Sequence, residues 1–203
     1  ENVGLYDLTA FSNYDLKGKN VHYELQKICT ANIKGDAGKT TYTQMLNEDG
    51  GIETDLTVIC LNKEHFRIIT SAANRERDKF HILKYLSDDI KFKDITDEVA
   101  CLGLFGPKSL NLLKKLTKDD VSNESIIFAS HKKIVVDNID ILAQRLSYVG
   151  EYGYELYVDM NNSKKIYNLI VEAGKEFNLS LCGMHALDTM RMETGFLHWG
   201  HDI

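Results

Sequence analysis

Several features that mark whole classes of proteins are missing from this sequence of 203 residues. No apolar run approaches the roughly 18–20 residues that a membrane-spanning helix requires, so we expect no membrane partner. The net charge is −6 and no stripe of lysine and arginine is present to neutralise phosphates, so we expect no nucleic-acid partner either. With one proline and no repeat or low-complexity stretch, the chain has no obvious linker.

Sulfur chemistry and metal ligands are also sparse. The four cysteines lie far apart, in or beside apolar runs, and form no Cys-x-x-Cys pair: they are Cys29, Cys60, Cys101 and Cys182. This pattern favours buried free thiols in a reducing compartment over disulfides. His198 and His201 could share a helical face, but the sequence shows no further ligands beside them. We therefore predict no metal site.

The composition is that of a globular protein, and the apolar residues follow two patterns, helical spacing and strand alternation, in turn along the chain. The length suits one large domain or two small intertwined ones. Helical spacing predicts helices within residues 21–28, 74–86, 107–116, 166–177 and 187–194. Alternation predicts strands at 41–46, 52–60, 66–70, 91–95, 99–105, 132–136, 139–148 and 154–158. Hairpin turns at 47–51 and 136–139, and no long run of βαβ crossovers, indicate an α+β fold with antiparallel sheets and flanking helices.

Residues 148–155 combine three tyrosines, two glycines and two glutamates just before an apolar run. Gly150 and Gly153 permit a tight turn with positive backbone dihedrals, so Tyr148 and Glu155 should flank that turn. An aromatic platform beside an acid suits a flat heterocycle, because a carboxylate can accept two parallel N–H hydrogen bonds from an amino-pyrimidine edge. An ordinary hairpin with solvated acids is the alternative.

The predicted strand 52–60 carries a carboxylate on its polar face. Because strand residues alternate faces, Asp55 lies with Glu53 and Thr57, whereas Leu56 and Val58 lie on the apolar face. A strand that is apolar inside and polar outside explains this pattern. The alternative is that Asp55, beside a glycine hairpin, acts on a bound nucleophile.

The last predicted helix places Asp188 and Arg191 three residues apart, where the two side chains can pair. A structural ion pair explains this spacing, and such surface pairs contribute about 0–1 kcal/mol. The alternative is that Arg191 faces a ligand and is held in position by Asp188.

Together these segments resemble one family. The resemblance rests on residues 4–9 (Gly-Leu-Tyr-Asp-Leu-Thr), 45–58, 102–107 (Leu-Gly-Leu-Phe-Gly-Pro), 148–155 and 186–195. Their order and spacing resemble the folate-binding aminomethyltransferase family, whose best-known member is the glycine-cleavage T-protein. Within the family, the ending 196–203, which contains Trp199, resembles more closely the tetrahydrofolate domains of dimethylglycine and sarcosine dehydrogenases. T-proteins commonly have a Ser-Asn pair at the position of Ser71, and this sequence departs from that pair.

The resemblance implies a role for four residues. Asp55 matches the catalytic aspartate of the family, which assists proton removal near the N5 and N10 nitrogens of tetrahydrofolate. Glu155 matches the acid that binds the amino-pyrimidine edge of the pterin, and Tyr148 the tyrosine beside that ring. Arg191 matches an arginine of the binding pocket. The implied cofactor is tetrahydrofolate, and no metal is implied.

The resemblance also implies an architecture. Residues 1–203 are expected to form one folate-binding module of two intertwined lobes, without the C-terminal barrel of the family. The sequence has no Gly-x-Gly-x-x-Gly, so FAD is expected only in a parent enzyme and not on this chain. Because it begins at Glu1 with neither an initiator methionine nor a signal peptide, we expect a segment of a longer chain.

The implied activity is capture of a methylene or aminomethyl group on tetrahydrofolate to give 5,10-methylenetetrahydrofolate, within a dimethylglycine or sarcosine dehydrogenase-type enzyme. The partners would be a small-molecule one-carbon donor and a flavin dehydrogenase domain or subunit, in the cytoplasm or, in a eukaryote, the mitochondrial matrix. A stand-alone T-protein-like amino- or methyltransferase is one alternative. A non-catalytic folate-binding module is another, although the presence of Asp55 argues against it.

Overall fold

The computed structural model describes residues 2–203, which divide into two compact units. The first unit comprises residues 2–9 and 97–203, and the second unit comprises residues 10–96. The chain therefore leaves the first unit after Thr9 and returns to it at Asp97. Each unit has its own sheet and its own hydrophobic core. The expected single module over residues 1–203 remains a prediction, and its residue 1 lies outside the described residues.

Eleven strands, five α-helices and three short 3-10 helices lie within residues 2–203. The strands are β1 (Val3–Asp7), β2 (Ser12–Lys17), β3 (Thr40–Leu46), β4 (Ile52–Asn62), β5 (His65–Thr70), β6 (Lys91–Asp94), β7 (Val99–Phe105), β8 (His131–Val136), β9 (Ile139–Gln144), β10 (Gly153–Asp159) and β11 (Leu179–Cys182). The α-helices are α1 (Val21–Ile28), α2 (Arg75–Tyr85), α3 (Ser109–Leu116), α4 (Met160–Gly174) and α5 (Met184–Thr194). The 3-10 helices are Ala72–Asn74, Thr96–Glu98 and Lys175–Phe177.

The first unit is built on a six-stranded sheet in the order β11-β1-β7-β10-β9-β8. Its pairs are antiparallel except for β1 and β11, which run parallel. Even-numbered residues of β7 and β10, among them Leu104 and Leu156, face a core that also contains Leu112 of α3 and Ile166 of α4. Burying each such side chain contributes about 1.5–3 kcal/mol. The odd-numbered residues therefore lie on the opposite face, and Glu155 is one of them.

The second unit is a five-stranded antiparallel sheet in the order β3-β4-β5-β2-β6. Its apolar face meets α1 through Leu25 and α2 through Ile82, which share one core cluster with Leu56 of β4 and Phe66 of β5. Because Leu56 faces this core, the next residue back along β4, Asp55, projects from the other face. The predicted alternation of β4 at this point is confirmed.

The two predicted hairpin turns are present. Asp137 and Asn138 both have positive φ values (47° and 63°), as a two-residue type I′ turn requires. The turn between β3 and β4 contains Gly50 with φ 81°. Gly195 ends α5 in the left-handed conformation, with φ 82°.

Three strands escaped prediction: β1, β2 and β11. Strand β2 lies between β5 and β6, and its polar residues Ser12 and Asn13 are fully buried, so it shows no alternation. Their side chains instead donate to backbone carbonyls, of Ser71 at 3.3 Å and Phe11 at 2.9 Å. Strand β11 has only four residues at the edge of its sheet, too few for a pattern to stand out.

Other boundaries and faces differ from the predictions. The strand predicted at 139–148 ends at Gln144. Helix α2 forms as expected, but its apolar residue Phe80 is 69% exposed, and the buried residues are Asp78 and Ile82. The hydroxyl of Tyr14 donates to the backbone oxygen of Arg75 at 2.7 Å, which ties the first turn of α2 to β2.

Gly153 lies in strand β10 and not in a positive-φ turn, and it serves close packing. A Cβ atom at this position would overlap the carbonyl oxygen of Leu104 and lie 2.8 Å from the Cα of Phe105. Both are backbone atoms of the neighbouring strand, which cannot rotate away. Gly153→Ala should therefore lower the free energy of unfolding by about 1–3 kcal/mol, measured by urea denaturation.

Gly183→Ala is the matched control, because a Cβ atom there meets no atom within 4 Å and φ is −91°. We expect it to change the free energy of unfolding by less than about 1 kcal/mol. Equal effects of the two substitutions would contradict the close-packing role of Gly153.

Candidate functional site

The centre of the first unit's sheet carries polar side chains on the face away from its core. Glu155 of β10 lies opposite Gly103 of β7 on one side and opposite Gln144 of β9 on the other. The same row continues outward to Tyr6 on β1 and to His131 on β8. Side chains at paired positions point to the same face, so the sheet aligns an acid with hydrogen-bonding neighbours.

Two side chains hold the Glu155 carboxylate by one of its oxygens. The hydroxyl of Tyr157 donates to Oε2 at 2.6 Å, and the amide of Gln144 donates to the same oxygen at 2.9 Å. Within residues 2–203, no hydrogen bond reaches Oε1. Tyr157 and Gln144 are buried, whereas Glu155 is partly exposed. An ionised carboxylate offers about four acceptor positions, so two remain for a ligand.

Burial sets the protonation of this group of side chains. Burial raises the pKa of Glu155, while the hydrogen bonds from Tyr157 and Gln144 lower it again. Burial also raises the pKa of Tyr157 well above its ordinary value, so this phenol keeps its proton and donates to Glu155. The buried thiol of Cys101 has its pKa raised in the same way and adds no charge beside them.

An aromatic pair lies beside this acid. Gly103, opposite Glu155, has no side chain because the ring of Phe105 takes that space: a Cβ atom at Gly103 would lie 2.6 Å from the ring. Phe105 in turn contacts Tyr6, with ring centroids 5.4 Å apart. The glycine therefore brings a flat apolar ring over the residue that pairs with the acid. The sequence predicted aromatics beside Glu155, but not these two.

Tyr148 lies in the loop between β9 and β10 and contacts the segment that follows α5. Its hydroxyl donates to the backbone oxygen of Leu197 at 3.1 Å, and its ring stacks on Phe196 at 6.2 Å between centroids. Gly150, with φ 73°, allows the loop to approach α5, since a Cβ atom there would overlap the side chain of Thr194. The loop and the end of α5 thus pack together.

Arg191 is buried, and its guanidinium binds the same segment. Nε donates to Asp188 at 2.8 Å, Nη1 donates to Asp202 and, at 3.1 Å, to the backbone oxygen of Phe196, and Nη2 lies 2.7 Å from Asp188. The predicted pairing of Asp188 with Arg191 is therefore present. The hydrogen bond to Asp202 is the main cause that raises the pKa of Arg191, which stays charged. These contacts order residues 196–202 against α5, and a direct contact of Arg191 with a ligand remains a prediction.

Asp55, in the second unit, is partly exposed on β4. The hydroxyl of Tyr42 donates to its Oδ2 at 2.8 Å from the neighbouring strand β3, where Gln44 pairs with Asp55. No hydrogen bond to Oδ1 occurs among residues 2–203. The neighbouring strand therefore fixes one of the two carboxylate oxygens.

A second acid of this unit escaped prediction. Asp78 of α2 is 1% exposed, and neither of its carboxyl oxygens has a hydrogen bond of normal geometry within residues 2–203. The buried hydroxyls of Thr54 and Thr70 lie close by, on the sheet face that meets α2. Burial raises the pKa of Asp78 to about 6, and the charge of Asp55 acts in the same direction.

The profile of the GCVT N-terminal domain matches residues 1–203. The chain belongs to this family. Two solved structures share this fold. At their low sequence identity, the likeness shows the fold alone. The glycine cleavage system aminomethyltransferase T of Bartonella henselae superposes with a TM-score of 0.86 at 21% identity, covering 100% of this chain and 54% of that chain. The heterotetrameric sarcosine oxidase of Corynebacterium sp. U-96 superposes with a TM-score of 0.69 at 16% identity, covering 89% of this chain and 87% of that chain.

Three related proteins are matched over different shares of their own length. The 4-methylaminobutanoate oxidase (formaldehyde-forming) of Paenarthrobacter nicotinovorans is 32% identical, covering 100% of this chain and 25% of that protein. The mitochondrial dimethylglycine dehydrogenase of Rattus norvegicus is 31% identical, covering 100% and 24%. The aminomethyltransferase of Thermoanaerobacter sp. (strain X514) is 34% identical, covering 99% and 55%. The chain thus spans a quarter to about half of these relatives.

The resemblance to the aminomethyltransferase family and the α+β fold are therefore confirmed for this GCVT domain. The structure brings Tyr148 and Arg191 to one segment and surrounds Glu155 with Tyr157 and Gln144. Asp55 belongs to the other unit. Sequence reasoning missed Gln144 and Tyr157, although Tyr157 lies two residues after Glu155 and so shares its strand face.

Three further features of the described chain concern metal ligands, thiols and membranes. Among residues 2–203, no group of three or more histidine, cysteine or acidic side chains is placed to hold a metal ion. All four cysteines are free thiols. No helix within this range has both the length and the apolar character that crossing a membrane requires.

Ionisation of Asp78 should destabilise the GCVT domain. Because its pKa is about 6 in the folded state and near 3.8 unfolded, the protonated form is favoured by folding. Its stabilising contribution is complete below pH 4 and is lost as the pH rises through 6. Asp78→Asn cannot ionise, so its free energy of unfolding relative to wild type should improve by about 2–3 kcal/mol between pH 4 and pH 8.

Urea denaturation at several pH values measures this difference directly. Asp88→Asn, at an exposed position just after α2, is the matched control and should track wild type across the range. An Asp78→Asn difference that is the same at pH 4 and pH 8 would show that Asp78 does not titrate within this window.

Proposed function

We propose that this chain binds tetrahydrofolate and transfers a one-carbon unit to it, giving 5,10-methylenetetrahydrofolate. The observation that carries the proposal is the Glu155 carboxylate, which is partly exposed, held at Oε2 by two buried donors, and left with two acceptor positions. Support also comes from membership of the GCVT family, whose relatives include aminomethyltransferases.

The residues around Glu155 fit the pterin ring of tetrahydrofolate. The amino-pyrimidine edge of a pterin presents parallel N–H donors, which match the two acceptor positions that Tyr157 and Gln144 leave open. The buried aromatic pair of Phe105 and Tyr6 lies on the same sheet face as the acid, so the surroundings of the acid are apolar, as a flat heterocycle requires. We propose Tyr148 as a further aromatic contact of this ring.

We propose Arg191 as the residue that keeps the binding pocket in shape. Its guanidinium binds Asp188, Asp202 and the backbone of Phe196, and Phe196 stacks on Tyr148. Arg191 therefore fixes the segment against which Tyr148 rests. This geometry supports an indirect role in folate binding, through the position of Tyr148.

When bound, tetrahydrofolate supplies the N5 and N10 nitrogens that accept the one-carbon unit. The chain's own contribution to this chemistry is Asp55, whose Oδ1 is free to take up the proton that the attacking nitrogen loses. Tyr42 holds Oδ2 at 2.8 Å and so orients the carboxylate for this transfer. Orientation of this kind accounts for much of the rate gained when reactants are held together.

We propose further that the parent protein is a dimethylglycine or sarcosine dehydrogenase-type enzyme, in the cytoplasm or the mitochondrial matrix. A flavin domain or subunit would oxidise the amine, so FAD would bind there and not on this chain. Support comes from the 31% identity to rat dimethylglycine dehydrogenase over the whole of this chain. The similar identity to a shorter aminomethyltransferase, 34%, favours a stand-alone transferase as the second candidate.

Replacing Glu155 tests folate binding. Glu155→Gln loses one acceptor position and faces the pterin N–H groups with an amide. An unpaired donor in a partly buried site costs about 1–3 kcal/mol, so affinity for tetrahydrofolate should fall roughly tenfold to a hundredfold. Calorimetric titration of the full-length protein measures this loss, with Glu172→Gln, an exposed position of α4, as the matched control. Unchanged affinity in Glu155→Gln would remove the pterin assignment.

Replacing Asp55 separates binding from chemistry. If Asp55 accepts a proton in the transition state, Asp55→Asn should lower turnover by about 100-fold to 10,000-fold and leave folate affinity near that of wild type. Asp49→Asn, on the exposed turn between β3 and β4, is the control. Equal losses of turnover and affinity would make Asp55 a positioning residue, and no loss of either would leave it a solvated strand residue.

The products of the Asp55→Asn protein distinguish the two candidate parents. In a dehydrogenase-type parent, the oxidised amine hydrolyses to formaldehyde unless folate captures the one-carbon unit. The substitution should therefore shift the output from 5,10-methylenetetrahydrofolate to formaldehyde and leave flavin reduction intact. Failure of amine oxidation in the variant, or a parent gene without a flavin domain, would favour the stand-alone transferase.

A further inference from the structure

Tyr157 and Gln144 contact Glu155 from the protein interior. Tyr157 is 4% exposed and Gln144 is fully buried, so both lie behind the partly exposed acid. Both donate to Oε2, at 2.6 Å and 2.9 Å. Two donors on one oxygen fix the rotation of the carboxylate about its last torsion, and Oε1 is then directed away from them.

A carboxylate that binds an amino-pyrimidine edge must be ionised. A protonated acid offers an O–H in place of an acceptor, and that O–H would face the N–H donors of the ring. The burial that surrounds Glu155 favours this unproductive form, and only hydrogen bonds or opposite charges counteract it. No lysine or arginine is paired with Glu155 within residues 2–203, so the two donors carry this task.

The titratable groups on the neighbouring strands place no charge beside Glu155. Tyr157 on β10 and Cys101 on β7 are both buried with a raised pKa, so both are neutral. Burial also raises the pKa of Tyr6 on β1, which keeps its proton. His131 on β8 lies one strand further, opposite Gln144. The side chains nearest to Glu155 are thus neutral donors.

We propose that Tyr157 and Gln144 are positioning residues for ligand binding by Glu155, holding its Oε2 so that the remaining acceptor positions meet the pterin ring. The inference rests on the proposed folate function, and neither residue touches the ligand itself. Their hydrogen bonds act on the ligand in two ways, by fixing the orientation of Glu155 and by favouring its ionised form.

The test is the pH dependence of folate binding by Tyr157→Phe. Loss of a hydrogen bond to a charged group amounts to roughly tenfold to a hundredfold in affinity, so binding of 5-formyltetrahydrofolate at pH 7 should weaken by about that factor. The acid limb of the affinity profile should move to higher pH by about one unit or more, because Glu155 then binds its proton more tightly. Affinity should recover in part at pH 9, where Glu155 is ionised in both proteins, and the loss that remains reflects the lost orientation of the carboxylate.

Tyr152→Phe is the matched control, since its hydroxyl binds Asn123 and Tyr154 in the same unit. It should keep the wild-type midpoint. Calorimetry on the full-length protein between pH 5.5 and 9 gives both the affinity and the midpoint, and Gln144→Met repeats the test if Tyr157→Phe fails to fold. If Tyr157→Phe altered only the packing around Glu155, binding would weaken equally at every pH, and that result would overturn the inference.

The possible outcomes distinguish failure of the positioning role of Tyr157 and Gln144 from failure of the proposed folate function. Wild-type protein that binds no reduced folate at any pH would overturn the proposed function. Wild-type binding that is weakened in Glu155→Gln, together with an unmoved midpoint in both Tyr157→Phe and Gln144→Met, would overturn the positioning role alone.

Discussion

One interaction organises the first unit: two buried neutral donors hold a carboxylate in the middle of the sheet, against the burial that raises the pKa of that carboxylate. The carboxylate is that of Glu155. One donor is Tyr157 on the same strand, and the other is Gln144, which the pairing of β10 with β9 places opposite Glu155. Gly103 on the other side leaves room for the ring of Phe105. Strand register therefore produces both the acid and the aromatic surface beside it, with no lysine or arginine paired to Glu155 among the residues described.

The second unit handles its acids differently. Asp55 is partly exposed, and the hydroxyl of Tyr42 donates to one of its carboxylate oxygens. Asp78 is buried without a hydrogen bond of normal geometry in the described chain, and its pKa rises to about 6. Burial thus separates two carboxylates of one small unit into one that is partly open to solvent and one whose ionisation opposes folding.

Much of the fold could be predicted from local patterns, because many elements pack one apolar face against a core. These elements include β4, β7, β10, α1 and α4. Strand β2 could not be predicted, since it buries the polar residues Ser12 and Asn13, and Ser12 donates to the backbone of Ser71, which is distant in sequence. The site residues likewise fall into those that a local pattern predicts and those that it does not. Glu155 and Asp55 stand out as acids beside glycine turns, whereas the role of Gln144 depends on strand register, which no local pattern specifies. The contacts of Arg191 with residues 196–202 are equally non-local.

The central claim is that Glu155, held by Tyr157, receives the pterin ring. A crystal structure of the full-length protein with 5-formyltetrahydrofolate tests this most directly. The account predicts that Glu155 accepts hydrogen bonds from the amino-pyrimidine N–H groups at about 2.7–3.2 Å. It also predicts that Oε2 keeps its hydrogen bonds from Tyr157 and Gln144. A folate bound elsewhere, or a Glu155 carboxylate turned away from the pterin, would contradict the account.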